Sequence, residues 1–329
     1  MKIVLACGLC LALACFAWPA PETPPPATPA ARIVGTSRVI VRAAPSPSAG
    51  IVARLSLGTA VTELERTSDP VTIGSQTAPW VRVQTADGQT GWVFGAFLRP
   101  DEPQRRLGLR QDLLRERRAG LGQANFFDAS ELAAFAAALA GELTDRPDRA
   151  EAELVELLAV RQAAGAIPFN QADRAPYAEW IAREKPRLVY GEPQGQWLLA
   201  ADSLWALAAR YKDLPLGELA AWEAATTMSP GECEGWLDCY LPHLNATLGR
   251  YLRLYPAGAH TDAALGQVAE YLKSLLGDTP DGTPMFSVEV PGDCLAELQR
   301  LRETVSSCQS SAVKEVLKLL DAIGRHLKK

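Results

Sequence analysis

The run Val39-Ile40-Val41-Arg42-Ala43-Ala44-Pro45-Ser46 decides how the N-terminal part of this 329-residue chain folds. Three β-branched residues in succession favour an extended strand, and Ala-Ala-Pro-Ser then ends it in a turn. Working outward, Arg32-Ile33-Val34-Gly35 precedes it, and Leu57-Gly58-Thr59, Trp80-Val81-Arg82-Val83 and Gly91-Trp92-Val93 follow. These are short runs with period-two alternation, punctuated by turn residues. Val39, Val41, Val52, Val61, Val81 and Val83 fall where strand interiors are expected. Asp87-Gly88, set between the Trp80 and Trp92 runs, marks a β-hairpin.

The order of these elements resembles a bacterial SH3-like (SH3b) domain. Residues 39–46, 57–59, 80–83 and 91–93 carry the resemblance, which spans residues 31–100 only. It implies a small β-barrel binding module, often one that holds cell-envelope material, and it implies no catalysis. In such barrels tryptophans either fill the core or line a peptide groove. Trp80 and Trp92 are therefore the candidate ligand-binding residues, Trp80 read chiefly as core and Trp92 as core or groove. Residues 67–79 form a polar loop longer than a usual hairpin connection, either a binding loop or a tolerated surface insertion.

The chain is 48% hydrophobic and 22% charged, an ordinary globular balance, and long enough for two domains. A net charge of −5 argues against general nucleic-acid binding. Met1-Lys2 precedes an apolar run to Trp18, too short to span a bilayer and suited to a signal peptide over 1–18. Leu11-Ala12-Leu13-Ala14-Cys15 offers a lipidation site at Cys15; the other reading is an ordinary signal cut after Ala17 or Ala20. Residues 19–30 are proline-rich and read as an extended tether. Export to the periplasm or cell envelope is the expectation.

Beyond residue 100 the composition turns to Ala, Leu, Glu and Arg. Residues 105–118 carry leucines at helical spacing and six arginines, read as the solvated face of a connecting helix rather than a lipid contact. Further helices are expected over 130–143 with Ser130 as N-cap, then 148–164, 176–184, 197–211, 216–226, 242–254, 261–276, 293–305 and 312–327. Proline and glycine breakers separate them. Residues 101–329 are thus expected to be all-α, and the fold class is a small SH3-like β-barrel followed by an all-α domain of helical hairpins. Residues 251–265, where Tyr255-Pro256 ends one helix and Ala263-Ala264 opens the next, resemble one junction of the tetratricopeptide repeats of envelope proteins. No regular repeat period surrounds it.

Catalytic patterns are weak. His243, His260 and His326 sit in no metal-ligand spacing. Ser311-x-x-Lys314 lacks its partner motifs. Glu151, Glu153 and Glu156 are a charged helix face rather than a hydrolase pair. Asn245-Ala246-Thr247 is a sequon only in a host that glycosylates.

Four cysteines remain after the signal: Cys233, Cys239, Cys294 and Cys308. On one continuous helix Cys294 and Cys308 would lie about 21 Å apart, far beyond disulfide reach. The expectation is crossed pairing of the Cys233/Cys239 segment with the Cys294/Cys308 helix. The alternative is a local Cys233–Cys239 bridge with the other two reduced. The functional expectation is an exported, non-enzymatic binding protein without cofactor, whose partner is a cell-wall peptide or an envelope protein. It has no nucleic-acid partner, and it meets the membrane only through a lipid anchor. A cell-wall hydrolase and a purely structural scaffold are the alternatives. An open aromatic groove favours binding, and a barrel face covered by helices favours scaffold.

Overall fold

The computed structural model describes residues 30–277 and 284–328. The expected signal peptide, Cys15 and the tether lie outside the described residues, apart from Ala30, which opens the first strand.

The N-terminal module is one antiparallel sheet of seven strands. In chain order the strands of the module are β1 (Ala30–Val34), β2 (Val39–Arg42), β3 (Ile51–Leu55), β4 (Ala60–Arg66), β5 (Val71–Ile73), β6 (Gln76–Ala78), β7 (Trp80–Gln84), β8 (Thr90–Phe94) and β9 (Leu98–Pro100). The sheet order is β3-β2-β8-β7-β4-β1-β9, while β5 and β6 pair with each other as a separate hairpin. Period-two alternation sends Val34, Val39, Val41, Val61, Val81, Val83 and Val93 into one buried cluster with Leu55 and Leu98. Val52 is the exception among the expected interior valines: it is exposed. The β7–β8 turn closes at Thr85 N–H to Gln89 O, 2.9 Å, with Gly88 at φ +85. Asp87 accepts from Thr85 and Gln89 there, which holds its carboxyl below the usual range.

The C-terminal part has eleven α-helices among the described residues: α1 (Arg106–Ala119), α2 (Phe126–Glu142), α3 (Arg146–Gly165), α4 (Tyr177–Glu184), α5 (Ala201–Arg210), α6 (Pro215–Ala225), α7 (Leu237–Ala246), α8 (Leu248–Leu254), α9 (Thr261–Leu276), α10 (Pro291–Ser306) and α11 (Val313–His326). It is not all-α. A two-stranded hairpin, β10 (Leu188–Gly191) with β11 (Gln196–Leu199), occupies part of the stretch expected to begin a helix at residue 197. The cap of α2 is Asn125, not Ser130: its side chain accepts from Phe127 N–H and Asp128 N–H at 2.9 and 3.1 Å. The expected single helix over 242–254 is two, parted at Thr247, and Pro242 lies inside the first. In the 251–265 junction Ala264 is fully buried while Ala263 is exposed, so one alanine makes the close approach. The tetratricopeptide likeness rests on that local pattern alone.

The arginines of α1 reach solvent, as expected, and most of them are also paired. Arg106 pairs with Asp101, Arg110 with Glu142, and Arg115 and Arg118 with Glu151. Arg117 donates to Gly35 O of the sheet. Five of the six thus tie α1 to its neighbours.

The cysteine pairing also differs from the crossed expectation. Cys233 is bonded to Cys239, with Cα atoms 5.3 Å apart, and Cys294 and Cys308 are free and buried. The chain reverses at Glu234 and Gly235, both at positive φ, before α7 starts. That turn brings Cys233 back onto the first turn of α7. Cys294 instead faces Asp238, its Sγ 3.4 Å from Oδ1, and burial pushes its thiol up to about 12. It is protonated and inert at neutral pH. Cys308 lies past the end of α10, its thiol 3.4 Å from Thr304 O.

Candidate functional site

The sheet docks on the helices through the element that carries Leu57-Gly58-Thr59. Leu57 leaves the sheet's own core and joins the helical one. Gly58, at φ +80, lies against the ring of Phe135 on α2. One carboxylate oxygen on α2, Glu131 Oε2, accepts from Leu57 N–H at 3.0 Å and Arg38 N–H at 3.2 Å. Arg38 takes a left-handed conformation, φ +52, and its guanidinium lies 4.0 Å over the ring of Phe127. The helices therefore hold Arg38, the turn residue just before β2, in a conformation that a non-glycine residue disfavours.

Arg38 is also the edge of a groove of about 270 Å³ on the module's outer surface. Trp80 and Phe94 form its floor. Both are buried, yet neither belongs to the cluster inside the sheet. The reason is register: Val81, Val83 and Val93 point inward, so Trp80 and its cross-strand partner Phe94 point outward. The two rings meet edge to face with centroids 6.0 Å apart, and Phe97 packs edge to face on Phe94 at 5.4 Å. Ile40 and Arg42 of β2 form one side, and Ile73 of the β5–β6 hairpin forms the other. Arg42 Nη1 donates to Ala49 O at 2.7 Å, which holds its side chain along the groove. Two arginines and no acidic residue line the space.

Trp80 is thus buried in the outer floor of a groove, not in the interior of the barrel. Trp92 is half-buried between Arg42 and Arg82 on the neighbouring strands and does not line the groove. The loop 67–79 folds as the small hairpin that contributes Ile73. Arg38, Ile40, Phe94 and Phe97 are additions that spacing in the sequence did not single out.

The remaining chemical candidates are occupied within the fold. Glu151 pairs with Arg115, Glu153 with Arg210 and Glu156 with Arg187. His260 stacks on Trp222, and His326 meets Phe286 edge to face. Burial lowers the pKa of His243. Asn245 is buried, donating to Glu297 O at 2.9 Å, and offers no exposed sequon. Among the described residues no cluster of three His, Cys, Asp or Glu could hold a metal. No helix among them is long and apolar enough to cross a membrane.

The sheet order defines a small β module that carries an aromatic-floored groove on its outer face. Residues 37–99 match the family model of the bacterial SH3 domain. No curated protein and no solved structure matches the chain.

Glu131 yields a testable consequence. Burial raises its pKa, more than the two backbone donors lower it. Its protonated form therefore favours the folded seam: this contribution is complete below the usual glutamate pKa and is lost as pH rises through the raised value. Glu131→Gln keeps one acceptor oxygen and removes the charge, so it is expected to leave neutral-pH stability unchanged or higher and to flatten the acid-side pH profile. Glu131→Ala leaves both donors unmet at the seam and is expected to cost about 1–3 kcal/mol. Urea unfolding at pH 5 and pH 7.5 checks both. A loss in Glu131→Gln equal to that in Glu131→Ala would show that the charge itself holds the seam.

Proposed function

We propose that this is an exported, non-catalytic envelope protein whose SH3-like module binds short cell-wall peptides in the Trp80–Phe94 groove. The observation that carries this is the lining: an aromatic floor, two arginines and no acid. Such a surface favours an extended, largely apolar peptide that ends in or carries a carboxylate. Aromatic faces take its aliphatic parts, and guanidinium groups take its charge in a geometry that lysine does not match. The match to bacterial SH3 domains supports a cell-wall or peptide ligand. The apolar leader and the Cys233–Cys239 disulfide support export, because disulfides persist in oxidising compartments. The arginine-paired glutamates support a non-catalytic role. The helices act as the scaffold that sets Arg38.

Co-sedimentation with purified cell wall tests the proposal. The wild-type chain is expected in the pellet. Arg42→Ala and Ile73→Asp are each expected to weaken retention about tenfold, or about 1.4 kcal/mol, with unchanged circular dichroism. Wild-type protein that stays in the supernatant would refute the ligand class. A cleared band on a cell-wall gel would refute the non-catalytic role.

A further inference from the structure

We propose that the space between the turn at residues 168–171 and the β10–β11 hairpin is a sugar site, whose ligand is an N-acetylated hexosamine. The site lies in the helical part of the chain. It shares no residue with the Trp80–Phe94 groove and does not rest on the reading of that groove.

The space measures about 110 Å³. Phe169 and Trp197 are its aromatic walls, and Asn170, Gln194 and Gln196 bring side-chain amides. No charged side chain lines it. Three rings stand together here. Tyr190 is the cross-strand partner of Trp197, and the two rings meet edge to face with centroids 5.5 Å apart. Phe169 stands over the hairpin turn: a Cβ on Gly195 would lie 3.3 Å from its ring. Trp197 is half-buried against the helical core, whereas Tyr190 is 45% and Phe169 76% exposed. A phenylalanine this open packs little of its own fold, and a cluster of open rings marks a contact surface.

Both walls are fixed by the backbone. In the first, Gln171 N–H donates to Pro168 O at 3.1 Å, and Asn170 takes φ +60, which asparagine tolerates. In the second, Gly195 N–H donates to Glu192 O at 3.1 Å, and Ala200 N–H to Arg187 O at 2.9 Å closes the hairpin base.

The lining chemistry selects the ligand. A pyranose presents C–H groups on its faces, which lie on aromatic rings, and hydroxyls that both donate and accept. A side-chain amide also does both. Gln196 Nε2 meets only the Met228 sulfur, at 3.9 Å. Gln194 Nε2 donates to Ser229 O at 3.2 Å, while its Oε1 is buried and has no partner among the described residues. That side chain gains a bond by turning out towards a donor in the space. A nucleotide needs a cation for its phosphates, and a carboxylate is best met by arginine; neither cation lines the space. Size selects the acetamido group. The space is far smaller than the roughly 300 Å³ or more of a site that encloses a whole ligand, so it takes one substituent. An acetamido group is a methyl and an amide. Ala164 and Ile167 suit the methyl, the three amides suit its N–H and carbonyl, and the sugar ring then lies outside on Phe169 and Tyr190.

The test titrates the full chain with tetra-N-acetylchitotetraose and with cellotetraose, which has the same linkage without acetamido groups. Nuclear magnetic resonance follows the Gly195 amide and the Trp197 indole N–H. Both signals are expected to shift saturably with the N-acetylated sugar, with Kd on the order of millimolar for so open a site. Cellotetraose is expected to bind about tenfold more weakly or worse. Phe169→Ala and Asn170→Gly are each expected to weaken binding about three- to tenfold with unchanged circular dichroism. Phe169 is exposed, and glycine keeps the positive φ at position 170, so neither change disturbs the fold. Absence of any shift with the N-acetylated sugar would overturn the site. An equal response to both sugars would overturn the acetamido assignment. Full binding by both variants, or shifts at Arg38 and Ile40 in place of Gly195 and Trp197, would put the sugar elsewhere and overturn the inference. Signals that move with protein concentration and not with sugar would make this surface a contact between copies of the chain, which also overturns it.

Discussion

Gly58→Ala is expected to lower the unfolding free energy of the seam between the sheet and the helices by about 2–5 kcal/mol. Two costs add. Gly58 has φ +80, a conformation in which an L side chain costs about 1–2 kcal/mol. An alanine Cβ there would also sit 2.4 Å from one ring carbon of Phe135 and 2.5 Å from the next. Phe135 is buried among the helices and cannot swing away, so the overlap costs a further 1–3 kcal/mol or so. The loss falls on the element that also places Leu57 in the helical core and brings the Leu57 N–H to Glu131. Urea unfolding followed by both tryptophan fluorescence and far-ultraviolet circular dichroism checks this, the expected signature being a lower midpoint and separated transitions. A double mutant separates the two costs: Phe135→Leu in the Gly58→Ala background should recover the steric part and leave the backbone part. An unchanged midpoint in Gly58→Ala would mean that the sheet does not rest on α2 in this way.

The parts of the fold that were legible in the sequence are those with a local cause. The hairpin at Asp87-Gly88 needed only a residue that tolerates positive φ between two alternating runs. Helix α9 coincides with its expected bounds because Pro256 stops the helix before it and Thr261 caps the turn, accepting from Gly258 N–H. The groove was legible only in part, because it is a product of register. Whether Trp80 or Trp92 belongs to it depends on both the inward turn of Val81 and Val93 and the position of the β5–β6 hairpin. No spacing within one strand contains that. Its lining comes from residues 36–40, 42, 47, 73, 80, 94 and 97, which only the sheet order brings together. The hairpin β10–β11 was hidden for another reason. Gln196-Trp197-Leu198-Leu199 runs directly into the apolar face of α5, and a short apolar run fits strand or helix equally. The arginines over 105–118 read as surface alone because the partners of several lie far off in the chain, as with Arg115 and Glu151, 36 residues apart.

Gly217→Ala should destabilise the helical part by about 2–4 kcal/mol, while the same change at Gly266 should stabilise it. In an open helix, alanine is better than glycine by about 1 kcal/mol. Gly266 is exposed on α9 with nothing within 4 Å of an added Cβ, so Gly266→Ala is expected to gain about 0.5–1 kcal/mol. Gly217 sits in the first turn of α6, where a Cβ would lie 2.1 Å from Tyr211 O, 2.6 Å from its carbonyl carbon and 3.0 Å from Lys212 Cα. All three are backbone atoms, so no side chain can yield. The turn that carries them is itself fixed: Leu214 N–H donates to Tyr211 O at 2.8 Å, and Arg146 donates to Arg210 O at 2.9 Å. Tyr211 is buried, with the Arg146 guanidinium 5.3 Å from its ring centre. The only relief is to move α6 away from α5, and that opens the layer of Ala220, Ala221, Ala224 and Ala225, all buried. An overpacking cost of this kind exceeds the gain in helix propensity. Urea midpoints of the two single variants measure the contrast directly, because the chemical change is the same in both. If Gly217→Ala is as stable as Gly266→Ala, helices α5 and α6 do not approach as closely as the structure has them.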